Sequence, residues 1–451
     1  MKKIVILVLM LVFLYACGEE PSNGAYNDTA ENNGAASDKE TQEVPNKEND
    51  DEAESVTEDE TQNTAGNVTD MDIDSVYEAI VQNDFLNDDT LEMNNANLDW
   101  FTFEFMSLAN KSITVVDNTA YFSNNQDTYP LNLKDNSFAD EIDEGTDVQI
   151  VQYDGELLFL HSDNDQIYMH YLNKDTEEIA DTVEFSKAKD TDDIANTYLY
   201  EDKLIGVTGY VGNIYIFDLS TNSLEEVIDM EEVLGERRDL NTIGFDDGLL
   251  YIGAEGLSSS IYALDVTSGE LSWDLELGED SLYTMVGTYQ KEPIFVGDSM
   301  HIHLENKAYL EIDKNTGELL NAAEFGVRSH LLHATEENIY MVHENTREEE
   351  EYIVSLNKDT LEPNWAVAID GRHKDFAATV NDNYLYTAVL NHTKDPGGTD
   401  WYKIDMDTGE ILKKDYIEEL NNQNAEGLFF EIIEDKMILA DGFAGAISQL
   451  E

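Results

Sequence analysis

Three scarcities frame this chain. Only one cysteine, Cys17, stands among 451 residues, so neither an internal disulfide nor a cysteine metal cluster can form. Positive charge is sparse: 25 basic residues face 97 acidic ones, a net charge of −72. Such a body repels phosphate, which excludes nucleic-acid binding, while dense carboxylates suit a protein bathed in high salt. Long apolar runs are also missing. The most extended, Ile4 to Leu14, is shorter than the roughly 20 residues a membrane-spanning helix needs.

What the chain does have begins at that run. Lys2 and Lys3 precede it, as the n-region precedes the h-region of a signal peptide, and Leu14-Tyr15-Ala16-Cys17 follows. This ending resembles the bacterial lipobox. The resemblance implies a signal peptide over 1–16 and a mature chain starting at a lipidated Cys17. The lipid would be its only anchor, on the extracytoplasmic face of the cell membrane. Residues 17–70 read as an acidic disordered tether, poor in aromatics and rich in Asn, Ser, Thr and Gly. Residues 71–90 read as a short helical lead-in, with Asp74 as N-cap.

From residue 91 to 451 the sequence repeats itself. The clearest unit, Tyr251 to Gly278, contains Leu264-Asp265, then Gly269-Glu270-Leu271 and Trp273. Aligning its acid or amide gives anchors at Asn132, Asn173, Asp218, Asp265, Asp313, Asn357, Asp405 and Glu451. That period matches one four-stranded propeller blade. Each anchor is expected to cap a turn through its side chain, with the Gly four positions on supplying positive φ. Leu91 to Trp100 aligns without a gap to Leu264 to Trp273, so Trp100 to Phe105 is expected to complete the blade begun at Phe429. The expectation is an all-β, eight-bladed propeller (alternatively seven-bladed) of four-stranded antiparallel blades. Its ring is closed by an N-terminal strand, leaving no open sheet edge at the joint.

The Tyr-Ala-Leu-Asp-x-x-x-Gly-Glu-x-x-Trp pattern resembles the repeat of the pyrroloquinoline-quinone (PQQ)-type propellers. Trp100, Trp273 and Trp365 occupy its tryptophan position. The resemblance implies either a quinoprotein dehydrogenase or a relative of the non-catalytic lipoprotein propeller of the β-barrel assembly machine. Many quinoprotein alcohol dehydrogenases hold PQQ against a ring of two adjacent cysteines beside Ca²⁺. No cysteine follows residue 17, so that pair is absent. Neither PQQ nor Ca²⁺ is expected as a cofactor. Asp163-x-Asp165 and Asp405-x-Asp407-x-Gly409 are only fragments of calcium loops.

Two clusters stand out beyond the repeat. His301, His303, His330, His333 and His343 fall close together and could place imidazoles from neighbouring blades around Zn²⁺ or Cu²⁺, although scattered polar positions explain them as well. The basic residues Lys187, Lys189, Arg237, Arg238, Lys291, Arg328, Arg372 and Lys374 fall where one blade's fourth strand hands over to the next blade's first. Such connections gather on one face, where local positive charge would focus an anionic ligand or a partner's acidic loop. No catalytic residue is assigned. The expected function is a monomeric, membrane-tethered binding or scaffold propeller with a protein partner in the cell envelope. The alternatives are a PQQ-dependent oxidoreductase and an extracytoplasmic small-molecule or metal sensor.

Overall fold

The computed structural model describes residues 94–95, 99–102 and 112–449, apart from connecting stretches such as 143–149, 279–292 and 418–428. The expected signal peptide, Cys17, the tether and the 71–90 helix lie outside the described residues.

The described part is a β-propeller. Seven of its sheets are four-stranded and antiparallel, and one further sheet adds a fifth strand to the same meander. In chain order, blade 1 spans 112–138, blade 2 150–186, blade 3 194–229, blade 4 239–278, blade 5 294–324, blade 6 329–369 and blade 7 373–417. The eighth, closing sheet takes three strands, Phe429–Ile433, Lys436–Ala440 and Ala444–Gln449, and is completed by Asp99–Thr102. First strands of successive blades lie side by side, as between blades 1 and 2, 6 and 7, and 7 and the closing blade. Lys436 of the closing blade lies near enough to Asp135 of blade 1 to help lower its carboxyl pKa, after the larger effect of Ser137's hydrogen bonds.

The closing strand is where the sequence placed it, with two corrections. Trp100 pairs with Ala446. In blades 4, 5 and 6 the residue at the tryptophan position pairs two residues before the anchor: Trp273 with Ala263, Asn321 with Glu311, Trp365 with Ser355. The eighth anchor falls before Glu451: the Trp100 offset gives Ser448, while Gln449 stands opposite Lys436 as Asp265 stands opposite Leu249. The second correction concerns blade 7, which is five-stranded. Asn94–Asn95 pairs in parallel with its outer strand, Asn94 opposite Asp415.

Hairpins within the blades follow local turn chemistry. Asp154-Gly155 and Asp247-Gly248 both take positive φ at the two turn residues (48° and 80°; 46° and 82°), as a two-residue type I′ hairpin requires. Each strand between turns alternates its side chains between two neighbouring blades. In Ser299–Leu304, Met300, Ile302 and Leu304 join the cluster shared with blade 4, while His301 and His303 turn the other way. The one helix of the described residues, Met230–Leu234, is a single turn after blade 3; Asp229 caps its N-terminus and Gly235, with φ 71°, ends it.

Candidate functional site

The repeat's polar residues are committed to holding the blades. Asp265 Oδ1 accepts from the backbone N–H of Thr267 and Ser268 at 2.7 and 3.1 Å. Asp313, Asn357 and Asp405 accept in the same pattern. Four residues past the anchor the backbone is left-handed at Gly269, Gly317 and Gly409, with φ of 70°, 73° and 71°. At two of these turns glycine is required for space as well. A Cβ on Gly317 would lie 2.6 Å from Trp273 of the preceding blade, and one on Gly409 would lie 2.6 Å from Trp365. The indole N–H of Trp273 donates to the Lys314 carbonyl at 3.0 Å, and that of Trp365 to the Met406 carbonyl at 2.9 Å. Each tryptophan thus seals one blade onto the next blade's turn.

Between blades 5 and 6 the same joint is built differently. The tryptophan position holds Asn321, whose Nδ2 donates to the Lys358 carbonyl at 2.7 Å. The smaller side chain leaves room, and the turn residue is Leu361, left-handed at φ 57° and buried.

Of the candidate basic residues, Lys187 and Lys189 lie as expected between the fourth strand of blade 2 and the first of blade 3. Lys187 is buried, its side chain 1% exposed, with Nζ 2.8 Å from Asp193 Oδ1. Lys189 pairs with Asp229 at 3.1 Å and so holds that carboxyl below its usual range. Arg237, Arg238, Lys291, Arg328 and Arg372 lie outside the described residues. Lys374 belongs to the strand His373–Asn381, and its side chain is not among those described.

The candidate histidines fall into cross-blade neighbours. His303 Nε2 lies 3.1 Å from Ser329 Oγ of blade 6, and its ring centroid is 6.1 Å from that of His330. His301 is buried, with Nδ1 2.7 Å from the Tyr309 hydroxyl. Its Nε2 has no hydrogen-bond partner among the described residues. Burial lowers the His301 pKa to about 4. Glu311 pulls it up, and Lys358 and His333 push it further down. His343 is buried on blade 6, opposite Ser329. Among the described residues no three of these or other His, Cys, Asp or Glu side chains converge on a metal position. Of the calcium-loop fragments, Asp405 caps its turn and Asp407 accepts from Asn383 at 2.8 Å.

No protein-family model and no curated protein matches this sequence. Solved structures do. BamB from Moraxella catarrhalis superposes with a TM-score of 0.50 at 14% identity, covering 78% of this chain and 99% of that one. The quinohemoprotein alcohol dehydrogenase ADHIIG from Pseudomonas putida HK5 gives 0.52 at 10% identity, over 78% and 75%. The computationally designed Ika8 protein gives 0.54 at 11%, over 77% and 98%. The fold shared with these structures is the β-propeller. It is shared by a BamB and by a dehydrogenase, so fold alone does not assign the activity of this propeller.

Several interblade residues of this propeller carry no repeat signature. Lys314 and Lys358, each one past its anchor, reach back to the preceding blade: Lys314 Nζ to Asp246 Oδ2 at 2.5 Å, Lys358 Nζ to Glu311 Oε1 at 2.7 Å. Glu311 is itself buried and also accepts from Ser299 Oγ at 2.9 Å. The available signal was strand alternation, since Tyr309 and Glu311 must share a face just as His301 and His303 do.

Proposed function

We propose that this protein is a lipid-anchored, extracytoplasmic scaffold that binds a protein partner in the cell envelope, and that it is not an enzyme. The observation that carries the reading is the use already made of the repeat's tryptophans. Trp273 and Trp365 are buried and bonded to backbone carbonyls, so they are tied into blade joints and do not offer free ring faces for a stacked quinone. The 451 residues also hold a single cysteine, too few for the vicinal pair that many PQQ enzymes use. Similarity extends over 99% of the Moraxella BamB chain, which supports a role built on the propeller itself.

The contact surface in this reading is the face of blade-to-blade connections, where the sequence puts the basic residues Arg237, Arg328 and Arg372 on an otherwise acidic body. Crosslinking on intact cells, followed by identification of captured proteins, tests it. A specific envelope protein should be captured by the native chain and lost when those three arginines are reversed to Glu. Bound-quinone absorbance with dye reduction, after adding PQQ and Ca²⁺ to the purified protein, would overturn the reading in favour of an oxidoreductase.

A further inference from the structure

The joint between blades 5 and 6 differs in chemistry from the one between 4 and 5. Its blade-5 side presents a file of titratable and polar groups. Beginning at Ser329 of blade 6, His303 follows, then Tyr309, which is opposite His303 in register. Tyr309 meets His301, which lies opposite Glu311. Glu311 binds Ser299 on its own sheet and Lys358 from blade 6. The groups facing His301 are Tyr309 and Glu311 from blade 5, and Lys358 and His333 from blade 6. Asp359 stands beside Lys358 at 3.3 Å.

This file has room for one positive charge and already holds it. The Glu311 carboxylate is matched by the Lys358 ammonium, and burial around that ammonium is outweighed by Glu311 and Asp359, which raise its pKa. A proton added to His301 or His333 places a second cation in this space, where no second buried carboxylate faces it among the described residues. A buried Nε2 without a partner gives the incoming N–H nothing to donate to.

We propose that the seam between blades 5 and 6 is an acid-labile joint, at which this ring loosens first when the surroundings acidify. Protonation of the seam histidines would separate Ser299–Leu304 from Ser329–Ala334 while the tryptophan-sealed joints stay closed. The inference rests on the seam's own chemistry and is independent of which partner the propeller binds.

Hydrogen exchange on the full chain, with labelling times scaled for the intrinsic pH dependence, tests it. Between pH 7 and pH 5, protection of 299–304 and 329–334 should fall by about tenfold more than that of 249–255 and 204–208, given the size of a one-unit proton linkage. His301→Gln keeps a partner for Tyr309 without a titrating ring, and His333→Gln removes the facing imidazole; each should reduce the acid response. A loss of protection equal across all seams overturns the proposal. So does an acid response of the 5–6 seam that is unchanged in both variants.

Discussion

Blade 5 has two unlike faces. Toward blade 4 it presents Met300, Ile302, Leu304, Leu310 and Ile312, and Trp273 closes over Gly317. Toward blade 6 it presents His301, His303, Tyr309 and Glu311, and the closing residue is Asn321 against Leu361. Both joints bury apolar area and each carries a lysine–carboxylate pair, yet among the described residues only the second also holds histidines. One repeat architecture therefore accepts two solutions: a large indole over a bare glycine, or a small amide over a filled turn. The pairs are coupled, because indole and turn side chain compete for the same space.

The strongest way to break this comparison is to exchange one half of a joint. Gly317→Leu should cost about 4 kcal/mol, from left-handed strain and overpacking against Trp273. Adding Trp273→Asn should recover part of that loss in urea unfolding, since it recreates the 5–6 joint; a double variant no better than the sum of the singles would sink the coupling. Next in size, Glu311→Ala should cost about 3 kcal/mol, because a largely buried Lys358 loses its main counter-charge. The matching change at the 4–5 joint, Asp246→Ala, removes a more exposed partner and should cost under about 1 kcal/mol.

Acid response outside blade 5 gives an intermediate effect. His170 of blade 2 is buried, and burial, aided by His161, lowers its pKa from 6.5 to about 4. The unfolded chain binds that proton below pH 6.5 while the folded chain resists it until about pH 4. Its contribution is therefore complete above pH 6.5 and lost as pH falls toward 4, an effect of about 2 kcal/mol. His170→Gln should flatten that part of the stability–pH curve without changing the exchange contrast at blades 5 and 6. A similarly small effect is expected of Asp229→Ala, which removes a helix cap on Glu231 and the Lys189 pair and should cost about 1 kcal/mol by the same unfolding measurement.

Much of the fold was legible in the sequence because its repeat marks are local. An Asx anchor and a left-handed residue four positions on define a turn within a few residues, and both appear wherever the turn is described. The Trp100 segment was legible for the same reason, as a detached copy of a local pattern. The eighth anchor lies two or three residues before Glu451, because neither Ser448 nor Gln449 carries the Asp or Asn that marks its counterparts, and strand pairing alone reveals it. Asn94–Asn95 could not be foreseen as a fifth strand, since a parallel edge pairing leaves no periodic trace. Leu361 was hidden because a leucine at a left-handed position becomes reasonable only once Asn321 is seen to leave it space. The site was less legible still. Alternation tells which residues share a face, but the meeting of His301 with Lys358 and His333 depends on the angle at which one blade packs on the next.

The strand at 99–102 imposes an order on how this molecule is made. It is synthesised before any complete blade, yet its partner at 444–449 is synthesised after seven of them. Until then the early strand must wait, and the late sheet stands with a bare edge exposed to other chains. Completion of the circle is therefore a slow, long-range event, and helpers that shield strand edges would matter most in that interval.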